Sequence, residues 1–324
     1  MVGKRFIVWI LMMGCGMLGL TQDLGIGAAS FLRRGVDARA LGMGGAFVSI
    51  ADNYSALYWN PAGLAQIPVA QVGGASANLF GLGLYHSFIA GVLPFVINTQ
   101  TPSLQIGLGT GYTQMTTDVQ ALNPGGQPVG MIQYTERLIT VGIGFRFPNK
   151  LSLGATVKMY SFLAPKAGVD GEDASAFGFG FDLGILAPLA HELWIGLAAA
   201  DVGNTRLKWH NTPTEPTDLV MGRYTIGMAF VHSDLILAAN YVHEALKGGI
   251  VRAGIELTLG FLSLRAGIIK PTQGPWTFSA GAGVKVGDLG FDVAWIQNTE
   301  IRAEGVQDTL VFSAFWEFTS FSGE

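Results

Sequence analysis

Trp276-Thr277-Phe278-Ser279-Ala280-Gly281-Ala282-Gly283-Val284-Lys285-Val286-Gly287 decides how the chain is read. Trp276, Phe278, Ala280, Ala282, Val284 and Val286 fall on one parity, and Thr277, Ser279, Gly281, Gly283, Lys285 and Gly287 on the other. A period of two puts these sets on opposite faces of a strand, and a helix does not produce it. The next stretch repeats the pattern, with Leu289, Phe291, Val293 and Trp295 against Gly290, Asp292 and Ala294. Upstream, Val251, Ala253, Ile255, Leu257 and Leu259 alternate with Arg252, Gly254, Glu256 and Thr258. One apolar face and one small or polar face are what a strand needs between lipid and a lumen.

Working outward, the same alternation predicts strands near 69–80, 82–93, 102–116, 136–147, 151–163, 174–187 and 192–203. Seven more are expected near 223–233, 235–246, 249–259, 261–270, 276–287, 289–299 and 309–318. The total is even, as bacterial single-chain barrels require, and each segment suits a tilted spanning strand. Tight links follow strands four, six, eight, ten and twelve, at Phe147-Pro148-Asn149-Lys150, Pro188-Leu189-Ala190-His191, Ser233-Asp234, Leu259-Gly260 and Gly287-Asp288. Longer polar links are expected around 117–135, 164–173, 204–222 and 300–308. Short turns at one end and long loops at the other match an outer-membrane barrel, with the long loops outside the cell. The first hairpin, Phe80-Gly81, is the exception. The expected fold is an all-β, fourteen-stranded antiparallel transmembrane β-barrel.

Composition supports this. Of 324 residues only 13% are charged, 49% are hydrophobic and 46 are Gly. A soluble domain carries about a quarter charged residues. After the N-terminus no apolar run approaches the ~20 residues of a spanning helix, which leaves the closed barrel as the route into a bilayer. A net charge of −4 gives no reason to expect nucleic-acid binding. Lys4 and Arg5 before the apolar stretch Phe6–Leu20 read as an export signal, residues 1–21. Cys15, the only cysteine, excludes a disulfide, and Met13-Gly14-Cys15 is a poor fit to a lipoprotein processing site.

Residues 22–66 break the alternation. Arg39-Ala-Leu-Gly42-Met-Gly44-Gly45-Ala-Phe47-Val is rich in small residues, and Asn60-Pro61-Ala62-Gly63 is turn chemistry. Asp52 is placed to cap a short helical turn through Leu57. The segment reads as a hatch plugging the barrel (67–324) from the periplasmic side. Arg39-Ala-Leu-Gly-Met-Gly-Gly-Ala-Phe-Val, Ala51-Asp52 and Ala56-Leu-Tyr-Trp-Asn60-Pro61-Ala62-Gly63-Leu64 together resemble the N-terminal signature of PorV/PorQ-like outer-membrane proteins. That family is similar in turn to FadL-type transporters of long-chain fatty acids, which carry an Asn-Pro-Ala hatch motif. Phe177-Gly-Phe-Gly-Phe-Asp182 with Ile195-Gly-Leu-Ala-Ala-Ala-Asp201-Val-Gly-Asn204 resembles the mid-barrel pattern of the same group.

Lys158, Asp182, Arg252, Glu256, Arg265, Lys285, Asp292 and Glu317 fall on inward parities. They either line a polar path or form ion pairs that fill the lumen and hold the plug, because an unpaired interior charge is costly. His86, His191, His210, His232 and His243 lack metal-ligand spacing, so no metal or cofactor is expected. No Gly-x-Ser-x-Gly elbow occurs, and the chain does not read as an enzyme. Gly107, Gly109 and Gly111 lie in a strand without a following helix, so they bend the strand or admit the plug. The FadL resemblance implies a lateral gate there, at the third strand.

The resemblances imply three functions for a barrel set in outer-membrane lipid by the barrel-insertion machinery. One is passive transport of a hydrophobic small molecule past the hatch, with Phe47, Leu57, Tyr58, Trp59 and Leu64 shaping the path. The second is a PorV-like role in type IX secretion, with cargo or other secretion-system proteins bound on the long loops. The third is a structural barrel without substrate. The last strand, Leu310–Phe318, ends in an aromatic that resembles the signal read by the insertion machinery.

Overall fold

In the computed structural model, residues 24–26, 28–97, 103–122, 128–244, 248–299 and 305–318 are described. The export-signal reading and Cys15 lie outside them. Fourteen strands form the wall. The first seven are β1 (Ala70–Leu79), β2 (Leu84–Ile97), β3 (Leu104–Leu122), β4 (Pro128–Arg146), β5 (Ser152–Ala164), β6 (Ala174–Pro188) and β7 (Leu193–Ala200). After them come β8 (Arg223–His232), β9 (Leu235–Glu244), β10 (Gly248–Leu259), β11 (Leu262–Pro271), β12 (Thr277–Val286), β13 (Leu289–Ile296) and β14 (Thr309–Phe318). Neighbours pair antiparallel throughout, and β14 pairs with β1 so that the sheet closes and no edge is left.

The period-two pattern sets the faces. Along β6, residues alternate buried and exposed, with Phe177, Phe179, Phe181, Leu183 and Ile185 all pointing outward. Exposed aromatics run along the outer face and include several at the strand ends. Trp316 lies near the tight-turn end, and Tyr224, Tyr241, Trp276 and Trp295 near the other.

Two expected loops differ. Residues 117–122 and 128–135 continue β3 and β4, in register as far as the pair Ala121–Gly130, so that hairpin stands well above its neighbours. Threonines and β-branched residues sustain the extended conformation there. The connection 204–222 holds a second hairpin, Thr205–His210 with Thr217–Val220. It continues β7 and β8 beyond a corner at Asp201–Asn204, where Asp201, Gly203 and Asn204 all take positive φ. Past the corner its first strand pairs antiparallel with β6 at Ser175–Phe177, and a Cβ on Gly178 would strike the Arg206 carbonyl.

The N-terminal segment threads the lumen from the long-connection end to the tight-turn end, rather than closing one end alone. Leu24–Ile26 pairs in parallel with Thr217–Leu219 of the bent hairpin. Phe31 and Leu32 then join Met115, Leu138, Tyr160, Phe162 and Leu207 in an upper apolar cluster. Short helices α1 (Ala38–Gly42) and α2 (Ala56–Trp59) follow, then a 3₁₀ turn Pro61–Gln66 that reaches the start of β1. A larger cluster, including Met43, Phe47, Tyr54, Leu57 and Leu64, fills the centre.

Glycines in the wall make this packing fit. A Cβ on Gly107 would run into the Leu64 carbonyl, and one on Gly154 into Pro61. Gly107→Val is therefore expected to destabilise the barrel by ~1–3 kcal/mol through overpacking. Outward-facing Gly91, whose added Cβ would meet nothing nearer than 3.7 Å, should accept Ala almost neutrally. Denaturant unfolding in lipid vesicles measures both, and equal effects would contradict the packing.

Candidate functional site

Asp37 anchors the segment. It is buried, takes φ 72 and caps α1 by accepting the Arg39 N–H. Its carboxylate also accepts from Tyr54 Oη at 3.1 Å, Ser313 Oγ at 3.0 Å, Asn53 Nδ2 at 2.8 Å and Ser55 Oγ at 3.1 Å. Ser313 belongs to β14, so the carboxylate ties two parts of the segment to the wall beside the closing seam. Burial, and then the Asp37 charge, push the Tyr54 phenol well above its ordinary range, so it remains a donor. Asp52 does not cap α2 as the sequence suggested. Asn53 Oδ1 takes the Ser55 N–H at 3.0 Å, which frees Asp52 for Arg39.

Arg39 sits at the centre of an ionic chain. It donates to Glu256 Oε2 and Oε1 at 2.8 Å each, and to Asp52 Oδ1 at 2.6 Å. Glu256 also accepts from Arg265 at 2.5 Å, and Arg265 reaches Asp292 at 2.6 Å. Burial opposes the charge on Arg39, but Asp52 and Glu256 outweigh it and hold the guanidinium protonated. The chain thus runs from the segment across β10, β11 and β13.

A second cluster fixes the bent hairpin. Lys158 Nζ lies 2.7 Å from Asp182 and 3.0 Å from Asp201, while Tyr160 and Thr205 hydroxyls donate to Asp201 at 2.7 and 2.9 Å. The Asp201 N–H donates to Asp182 at 2.8 Å. The two halves of the mid-barrel sequence pattern meet here. Lys285 and Glu317 pair at 2.6 Å near the tight-turn end. Of the eight inward charges, seven are therefore in ion pairs, and Arg252 has no hydrogen bond or ion pair among the described residues.

Asn60 is buried at the tight-turn end, where its amide donates to the Val48 carbonyl at 2.8 Å and the Ile185 carbonyl at 3.1 Å. Its side-chain oxygen caps Ala62. Pro61 and Ala62 pack on β5 and β6, and Gly63 abuts Ala51. Gly42 meets Gly281, while Gly44 and Gly45 take φ 67 and 74, which turns the chain along the wall.

An inner cavity of about 630 Å³ opens at the long-connection end. Gly35, Val36, Asp37 and Leu41 form its floor, and Phe31, Phe80, Leu84, Phe88 and Ile250 much of its apolar wall. Arg33, Arg34, Arg252, His86 and Glu244 supply polar groups. The residues expected to shape a path are placed differently. Phe47, Leu57 and Leu64 are fully buried, and the two leucines press on Gly109, Gly111 and Gly142. Trp59 donates to the Val36 carbonyl at 3.2 Å, and Tyr58 bonds the Leu32 carbonyl and accepts from Arg223 at 3.1 Å. None of the five lines the cavity. Nor do Gly107, Gly109 and Gly111 open the wall. β3 pairs with β2 and β4 in unbroken register there, and these glycines admit the plug.

No protein-family model matches the chain, and no curated protein matches it in sequence. Among solved structures it is similar to the CymD monoaromatic hydrocarbon channel at 14% identity and TM-score 0.60, over 88% of this chain and 98% of that one. The toluene transporter TodX of P. putida gives 15% and 0.58, over 88% and 99%. A FadL homologue from Pseudomonas aeruginosa gives 13% and 0.56, over 87% and 98%. At such identities the likeness is one of fold, and the chain has the closed fourteen-stranded barrel of FadL-type channels.

Removing the Glu256 carboxylate leaves Arg39 and Arg265 without their shared partner. Glu256→Gln is expected to cost ~3–5 kcal/mol of folded stability. Asp52→Asn, at a side chain 42% exposed, should cost under ~1 kcal/mol. Denaturant titration of both in vesicles checks this order, which a larger loss for Asp52→Asn would reverse.

Proposed function

We propose that the chain is an outer-membrane channel for passive uptake of small hydrophobic molecules. The cavity at the long-connection mouth is the observation that carries this reading. It is enclosed by a closed barrel, walled largely by apolar side chains, and floored by the internal segment. A chamber of about 630 Å³ is within the range of small-molecule sites. The similar structures named as hydrocarbon channels and toluene transporters support the same class of cargo.

In this reading residues 28–67 act as a hatch. Arg39 with Glu256, and Asn60 with the Val48 and Ile185 carbonyls, hold it closed toward the tight-turn end, which faces the periplasm. The hatch glycines matter because they let the segment lie against the wall, and the expected path residues act as packing that seals it. The protein contributes a conduit, not a reaction. The PorV-like secretion role rests on the motif alone, and no feature of the site favours it.

Ala77 lines the cavity and is buried. Ala77→Trp should fill part of the chamber and lower uptake of toluene and similar solutes to the level of host cells without the protein. The test is solute-limited growth of a heterologous diderm host, with barrel assembly checked by heat-modifiable mobility. Unchanged uptake by a correctly assembled variant would contradict the route.

A further inference from the structure

The outward faces of the fourteen wall strands are almost free of charge. Among the described residues they carry two lysine or arginine side chains, Arg137 on β4 and Lys270 on β11, and one acid, Asp118, farther up the projecting β3–β4 hairpin. Lys270 is engaged, since it donates to the Gly274 carbonyl at 2.7 Å and lies 5.6 Å over the Trp276 ring. Arg137 is exposed and has no ion pair or hydrogen bond among the described residues. Gln114, its neighbour across the ladder, accepts from Tyr112 Oη at 2.5 Å and donates to Thr116 Oγ1 at 2.8 Å along its own strand, which leaves the guanidinium free.

Arg137 stands in a polar row that crosses five strands in register, Ser76 on β1, Ser87 on β2, Gln114 on β3, Arg137 on β4 and Ser161 on β5. The next outward row toward the tight-turn end is Gly74, Ile89, Tyr112, Ile139 and Met159, apolar but for the Tyr112 hydroxyl that turns to Gln114. The polar row therefore marks the upper edge of the lipid-facing band. At ~3.3 Å per residue and a tilt near ~40°, Arg137 stands roughly 23 Å above the tight-turn end of β4, close to the height of an apolar band about 25 Å tall. Five strands at ~4.8 Å spacing make the row roughly 19 Å wide. At Ser76 it borders an outer groove of about 660 Å³, lined by the small residues Gly74, Ala282 and Ala314 and by exposed Ile89, Phe291 and Phe312.

We infer that the outer face of β1–β5 is a docking surface for a phosphorylated glycolipid of the outer leaflet. A phosphate accepts from Arg137, sugar hydroxyl and amide groups meet Ser76, Ser87 and Ser161, and one acyl chain lies in the groove beside Gly74 and Ala314. The planar guanidinium fork matches a phosphate, and no carboxylate of the wall competes for it. The width of the row favours a sugar head carrying several chains over a single glycerophosphate. The inference rests on the orientation given above, with the long connections outside the cell, and not on the uptake reading. The surface lies on the lipid side of the wall, apart from the chamber.

The test uses the full-length barrel in mild detergent and native mass spectrometry with three added lipids, bisphosphorylated lipid A, the same lipid A stripped of its phosphates, and phosphatidylglycerol. Bisphosphorylated lipid A should bind roughly tenfold or more tightly than the stripped form, corresponding to one charge-assisted contact, with phosphatidylglycerol weaker than the bisphosphorylated form. Arg137→Gln should bring bisphosphorylated lipid A down to the level of the stripped form and leave the stripped form unchanged. Ala314→Phe, which fills the groove, should weaken both forms alike. Equal binding of the two glycolipids by the unmodified protein overturns the inference and leaves the uptake reading intact. Phosphatidylglycerol bound as tightly as bisphosphorylated lipid A overturns the glycolipid assignment. A phosphate preference that survives Arg137→Gln overturns the role of Arg137, and undiminished binding by Ala314→Phe overturns the acyl seat. The comparison in the unmodified protein decides the phosphate preference even if a variant fails to assemble.

Discussion

Five hydrogen bonds converge on the Asp37 carboxylate, and the arrangement inside the barrel depends on them. A polypeptide inside a narrow lumen cannot leave its polar groups to bulk water, so each must find a partner in the segment or the wall. Asp37 draws Asn53, Tyr54 and Ser55 back onto the start of α1, which folds the segment on itself. The same carboxylate takes Ser313 of β14, and Tyr54 lies against Gly73 of β1, so the fold of the segment is joined to the seam that closes the wall. Positive φ at a non-glycine residue is the local cost of that geometry.

Two further constraints build on this anchor. The ionic chain from Asp52 through Arg39, Glu256 and Arg265 to Asp292 fixes the segment to β10, β11 and β13. The Lys158–Asp182–Asp201 cluster holds the corner that bends the seventh and eighth strands inward, over residues 28–34. Together they fill one side of the mouth and leave the other side as the chamber. Seven of the eight inward wall charges take part in ion pairs, and Arg252 is the exception among the described residues.

Much of this was legible in the sequence because lipid and lumen impose a period of two, and Trp276–Gly287 shows it without interruption. The strand number and the inward charges followed from that parity. Loop lengths were less legible, because residues 117–135 alternate weakly and carry the turn residues Pro124, Gly125, Gly126 and Pro128, so strand does not separate from loop. The pairing of Lys158 with both Asp182 and Asp201 depends on a corner that brings distant positions together. Asp37 was overlooked although Asp-Ala-Arg-Ala-Leu carries an N-cap signal. The cavity walls escaped for a different reason. Leu84, Phe88 and Ile250 carry nothing in the sequence that sets them apart from other strand residues, and they come together as a cavity wall only in the closed barrel. Conversely, Leu57 and Leu64 looked like path residues but meet wall glycines, whose role as seats for side chains needs three dimensions to see.

Residues 36–66 form a fixed internal body held by Asp37, not a loose strand in a pore. Hydrogen exchange on the intact barrel in lipid tests it most directly, because exchange reports local opening. The amides of Leu41, Gly45, Ala51, Trp59 and Asn60, all bonded to backbone carbonyls within the segment, are expected to exchange as slowly as those of β10 and β14. Rapid exchange across those residues while the wall stays protected would contradict it.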